Sequence, residues 1–329
     1  MSYRIEPNAQ GKNDLVIDGF EKGIAESPYL GISSMKNMNI KFLPGATYVN
    51  YKRQLNSSTA GTGTYTATTG TNTFTCASLT FLIDDAFTVS ASLYGLTAGT
   101  IYFKISATQI SATKGGTAFT ITSSGTGIMT ILTMKAPKYW TVDNRSNNYY
   151  LLDSDGRVWE NSDRAISTTT TKWSLLAGNT LTANNGNGIA IYKGYLFVFR
   201  NAIIDVCGTG TSASITAANW YTAWQSSLTT AQHYALWGTD DILYFCNGSY
   251  VGAISEKVSQ TFDITNSATY TFNLIALKLP PYEYNGSSIG ATWLAEIRTQ
   301  LLISAGKKIY PWDRTSTSFN NPIPIKEVI

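Results

Sequence analysis

The chain has 329 residues, of which 43% are hydrophobic and only 14% charged, with a formal net charge of +3. That charged share is well below the roughly 25% usual for globular domains, so solubility rests on Thr, Ser, Asn and Gly, the composition of many extended β assemblies. So small a charge does not argue for nucleic-acid affinity on its own, the polar start Met1-Ser2-Tyr3-Arg4 lacks the apolar core of a signal peptide, and no run of about 18 apolar residues offers a membrane span.

Residues 1–55 read as an N-terminal arm and hairpin joining the repeat domain of residues 135–329. Pro44-Gly45 is a turn dipeptide, and the alternation of Met38, Ile40 and Phe42 before it and Ala46, Tyr48 and Asn50 after it fits two short strands. Residues 56–134 turn rich in Thr, Gly and Ser, with expected strands at 64–67, 73–76, 86–90, 101–105, 109–111, 118–122 and 129–132. Ala98-Gly99-Thr100, Gly115-Gly116 and Gly125-Thr126-Gly127 supply turn signals between them. Many short, evenly spaced strands predict an inserted small β-sandwich or barrel.

Residues 135–329 repeat a hairpin. Tyr149-Tyr150-Leu151-Leu152, Tyr195-Leu196-Phe197-Val198-Phe199, Ile242-Leu243-Tyr244-Phe245 and Gln300-Leu301-Leu302-Ile303 each precede a tight turn and a second β-branched or aromatic run. The turns at Asp155-Gly156, Asn201-Ala202, Asn247-Gly248 and Ala305-Gly306 recur 46, 46 and 58 residues apart, the spacing of propeller blades. Residues 261–264 and 270–274 are expected to add outer strands, and eight tryptophans spread over this half to fill the space between sheets, or alternatively to form a sugar-stacking platform. The expected fold class is therefore all-β: a β-propeller, incomplete in this chain, which ends at Ile329 as if another blade were about to begin, with an inserted small β-sandwich or barrel domain.

Chemistry is sparse. Cys76, Cys207 and Cys246 have no CxxC spacing and His233 is the sole imidazole, so no zinc site assembles, and the buried strands around Cys207 and Cys246 suit inert thiols. His233 stands without a Gly-x-Ser-x-Gly elbow. Asp153, Asp155, Asp240 and Asp241 sit beside hairpin turns, where aspartate bonds the local backbone; a glycosidase pair or a calcium site is the competing reading. No phosphate-cradling loop occurs. The expectation is a protein that is not an enzyme, with no catalytic residues, no metal and no cofactor.

Gly23-Ile24, Ser27-Pro28, Met35-Lys36-Asn37-Met38, Pro44-Gly45 and Lys52-Arg53 appear in an order that resembles the start of tail nozzle (tubular) proteins of short-tailed phages. The stretch Gly95 to Gly127 is similar to a small β module of tailed-phage structural proteins. The resemblance implies a virion tail component assembled in a bacterial host cytoplasm. Its implied partners are further copies in a homo-oligomeric ring, other tail or connector proteins, and DNA passing through during ejection without sequence-specific contact. Gly23, Ile24, Pro28, Asn37, Lys52 and Arg53 become candidate inter-subunit contacts. The alternative is a virion propeller binding a host-surface glycan or receptor.

Overall fold

The structure is a computed structural model that describes residues 2–7, 13–18, 61–146, 148–161, 173–176, 186–211, 214–229, 233–279, 283–284, 287–288, 290–297, 300–305, 308–315 and 323–324. Every regular element among them is a strand. Strands β1 (Ser2–Pro7) and β2 (Asn13–Asp18) form an antiparallel hairpin.

Six strands follow: β3 (Gly61–Thr68), β4 (Thr73–Thr75), β5 (Ala86–Val89), β6 (Ile101–Lys104), β7 (Ile110–Ser111) and β8 (Gly125–Ile131). They make one antiparallel sheet in the order β4-β3-β8-β5-β6-β7. In β3 the period of two is plain: Gly63, Tyr65 and Ala67 are buried while Thr62, Thr64, Thr66 and Thr68 face water. Curling this sheet puts its apolar face inside, where Tyr65, Phe74, Phe87, Tyr102, Ile110 and Met129 pack together. The edges nearly meet: the Phe74 amide in β4 donates to the Thr108 carbonyl, just ahead of β7, at 2.7 Å.

Two expectations for this barrel are corrected. Gly125-Thr126-Gly127 is no turn but the start of β8, because glycine there leaves room for aromatic rings that lie over the strand. Residues 118–122 form no strand; the segment is tied instead by Phe119 N to Ile110 O and by Ile121 N to Asn72 Oδ1.

Four four-stranded antiparallel sheets complete the description. Blade one holds β9 (Pro137–Asp143), β10 (Asn148–Asp153), β11 (Val158–Asn161) and β12 (Ser174–Leu175). Blade two holds β13 (Gly186–Tyr192), β14 (Tyr195–Arg200), β15 (Ile203–Cys207) and β16 (Trp220–Gln225). Blade three holds β17 (Ala235–Trp237), β18 (Ile242–Asn247), β19 (Tyr250–Glu256) and β20 (Tyr270–Lys278). After a short hairpin of β21 (Glu283–Tyr284) and β22 (Ser287–Ser288), blade four holds β23 (Trp293–Ile297), β24 (Gln300–Ala305), β25 (Lys308–Trp312) and β26 (Ile323–Pro324). In each blade the strands pair in chain order, and the first strands of successive blades lie side by side, β9 on β13, β13 on β17 and β17 on β23. First strands gathered on one axis, with sheets radiating from it, are a β-propeller. The expected outer strand at 261–264 is a loop; β20 alone is the outer strand of blade three.

Blade packing explains why the hairpin strands read as unbroken apolar runs. A strand with a neighbour on both faces needs apolar side chains in both directions. In β10, Tyr150 and Leu152 pack toward Ile189, Leu196 and Val198 of blade two, while Tyr149 and Leu151 point the other way. Phe197 and Phe199 of blade two meet Leu243, Phe245 and Ile254 of blade three, and Tyr244 and Cys246 meet Leu301, Ile303 and Trp312 of blade four. The other flank of blade one is covered by the barrel, whose outward-facing Ala86 and Phe103 sit on Tyr149, Leu151, Trp159 and Leu175. Lys114 reaches across this seam to pair with Glu160 and to donate to Ser174 Oγ.

Candidate functional site

Strand direction sorts the loops. First and third strands of each blade run one way, so the turns leaving the first strand share an end of the arc with the loops leaving the third. Asp143 and Arg145, Lys193, Asp240 and Asp241, the 257–269 loop and Arg314 all lie on that end.

There the ionisable groups clasp one blade to the next. Arg145 Nη1, in the first turn of blade one, donates to Gly210 O of blade two at 3.1 Å, and its chain is set by Asp143, which accepts from the Arg145 amide at 3.0 Å and from Ser146 Oγ at 2.9 Å. Lys193 of blade two pairs with Asp241 and, at 3.6 Å, with Glu256 of blade three. Arg314 of blade four pairs with Asp240 of blade three at 3.1 Å and with Glu296 of its own blade, while Glu296 also accepts from the Thr239 amide at 2.9 Å. Tyr244 Oη donates to Asp240 at 2.5 Å and Trp237 Nε1 to Asp241 at 2.9 Å.

Charge follows from these contacts. Burial raises the Asp143 carboxyl, but bonds from Arg145 and Ser146 outweigh it and hold the group below the usual carboxylate range. Glu296 is likewise held low, with Thr239 and Arg314 overriding burial. Burial would lower Lys193, yet the Asp241 and Glu256 carboxylates raise it, so the ammonium is secure. Burial together with Asp240 pushes the Tyr244 phenol up. Burial pushes the Cys207 thiol up to about 12 and raises Cys246 as well, so neither is a thiolate nucleophile.

Between blades two and three this end opens into a groove of about 570 Å³ lined by Tyr195, Tyr221, Gln260, Phe262 and Asp263 with several threonines. Asp263 there is engaged by its own turn, accepting from the Thr265 amide and hydroxyl at 2.8 Å each.

The aspartates expected at turns serve them. Asp153, fully buried, accepts from the Asp155 and Arg157 amides at 2.9 Å, from Trp159 Nε1 at 2.8 Å and from the Lys135 amide at 3.2 Å. Asp240 faces Arg314 and Tyr244 Oη, and Asp241 faces Lys193 and Trp237 Nε1. No cluster of three His, Cys, Asp or Glu suited to a metal exists among the described residues. His233 is buried with both ring nitrogens on backbone carbonyls. Of the tryptophans, Trp159, Trp173 and Trp312 fill seams, whereas Trp237 and Trp293 remain exposed on first strands. Gly23, Ile24, Pro28, Asn37, Lys52 and Arg53 lie outside the described residues. Sequence reasoning missed Lys193 and Arg314 as clasps, since each is a lone cation beside a turn whose partner is distant in the chain.

No family model and no curated protein matches the chain. The crystal structure of AztD from Citrobacter koseri is similar with a TM-score of 0.37 and 13% identity, covering 81% of this chain and 70% of that one. The apo AztD structure from the same organism gives 0.36 and 14%, covering 81% and 71%. Likeness at this level transfers no activity. The tail nozzle resemblance is corrected nonetheless: these matches are to AztD rather than to a virion component, and with the resemblance go the tail function, the virion location and the glycan- or receptor-binding alternative. Gly-Ile, Ser-Pro, Pro-Gly and Lys-Arg are turn and surface vocabulary available to any β protein, which is why their order misled. Among the described residues, no helix is long and apolar enough to cross a membrane.

Proposed function

We propose that the protein works without catalysis, as a rigid propeller scaffold that associates with further copies of itself. The observation that carries this is the use of the rim's ionisable groups: Arg145, Lys193, Asp240, Asp241, Glu296 and Arg314 are engaged with neighbouring blades, which supports stiffness. Self-association is supported by blade four. Its register places Ala295, Ile297, Leu302 and Ile309 on the sheet face opposite the one packed on blade three, with Ile297 57% exposed. Among the described residues, the other blade faces are covered by a blade or by the barrel, so a second copy offers surface of the same kind.

Light scattering from about 1 to about 100 µM tests it, since mass action populates an assembly as concentration rises. A mass of two or more chains, reduced to one by Ile297→Asp, is expected. A monomer throughout, with the variant indistinguishable, overturns the reading.

A further inference from the structure

Copies of a chain can join in two ways, and the two ends of the blade arc differ in which they permit. Head-to-tail assembly needs two different matching surfaces, one at each end, and grows into a ring or a filament; two-fold assembly needs one surface that fits itself, and stops at two copies. At the blade-one end the matching surface is taken. Ala86 and Phe103 of the barrel are 2% and 1% exposed against Tyr149, Leu151, Trp159 and Leu175, with Ile101, Leu132 and Met134 packed beside them. Lys114 closes the rim of that seam on Glu160 and Ser174. A neighbour's blade four could dock there only by displacing the barrel.

At the blade-four end the open face suits its own copy. A two-fold axis brings the residues at its centre close to themselves, so a charge there would confront its like and oppose association. None of the residues that the register sets on this face within β23, β24 and β25 is ionisable. Ala295 and Leu302 lie at the centre, Ile297 and Gln300 toward one end, and Ser304 and Ile309 toward the other. The ionisable residues of the same strands, Glu296 and Lys308, pair in register with Leu301 and Ala305, which pack toward blade three. The face is thus apolar at its middle and free of self-repulsion.

We propose, resting on the self-association above, that the protein forms a closed two-fold dimer in which blade four packs face to face on blade four of a second copy. The blade-on-blade packing within one chain then continues across the axis, and a barrel caps each far end.

Light scattering of the full wild-type chain up to about 100 µM gives the first readout, with the mass expected to level off at two chains. A mass that climbs past two overturns the two-fold dimer and leaves self-association standing, whereas one chain throughout overturns both. Leu302→Asp and Leu302→Lys give the second readout. Leu302 is half-buried and points away from the core shared with blade three, so both variants should keep the wild-type circular dichroism. Each alone is expected to stay monomeric because like charges meet, and an equimolar mixture to recover a mass of two chains because opposite charges meet. A mixture that stays monomeric where the wild type dimerises overturns the self-pairing, since position 302 would then face a different surface; the plateau in wild-type mass needs no variant to fold.

Discussion

Among the described residues, two carboxylates of the rim contribute to acid sensitivity at the level of single residues. Asp143 and Glu296 are both held below their ordinary range, burial being outweighed by hydrogen bonds and a guanidinium. For a depressed carboxyl, stability is fully present above the unfolded value and is lost as pH falls through the folded one. Denaturation below about pH 4 should therefore steepen with these two groups. Asp143→Asn removes one charge-assisted acceptor, at a cost of about 1–3 kcal/mol near neutrality, and should flatten the acid limb measured by urea unfolding at successive pH values. An unchanged slope would place the acid sensitivity elsewhere. Aspartate at a hairpin turn is readable from sequence, and Asp153 serves its turn as such a position should. The second duty of Asp241 is not readable, because Lys193 lies 48 residues away and only the stacking of blades brings them together.

Single elements show the same division between local and distant causes. The hairpins β10–β11, β14–β15, β18–β19 and β24–β25 announce themselves through long apolar runs broken by Gly- or Asn-containing turns. The first strands are mute: β9 opens on Pro137, β13 carries Gly186 and Gly188, and β17 has three residues. At the crowded axis those glycines answer to neighbours rather than to strand propensity, and a Cβ on Gly188 would overlap the His233 carbonyl. Gly127 in β8 is the clearest case. It pairs directly with Tyr65 of β3, and a Cβ there would meet the Tyr65 ring at 2.5 Å. Tyr65 is 1% exposed and stacked on Phe74, so the ring has nowhere to retreat. Gly127→Ala is expected to destabilise the barrel by about 1–3 kcal/mol through overpacking. Pairing it with Tyr65→Leu should recover part of that loss; additive losses in the double variant would deny the contact its role.

For the whole molecule the decisive contact is the seam between barrel and blade one, which no local pattern in the sequence announces. Phe103 alternates outward from the barrel core yet is only 1% exposed, because Tyr149, Leu151 and Trp159 close over it. Each partner thus hides an apolar face it would otherwise present to water, and Lys114 with Glu160 pins the rim of the contact. Barrel and propeller arc are accordingly expected to unfold together, each borrowing stability from the shared face. Phe103→Ala leaves the barrel's own core of Phe74, Phe87 and Tyr102 intact but removes about 3–5 kcal/mol of burial and packing from the seam. Calorimetry should then change from one transition in the wild type to two in the variant, the lower one accompanied by loss of protection from proteolysis near residues 132–136. A single transition in both proteins, shifted equally for Phe103→Ala and for Phe87→Ala inside the barrel, would mean that the seam does not govern cooperativity and that barrel and blades form one unit for another reason.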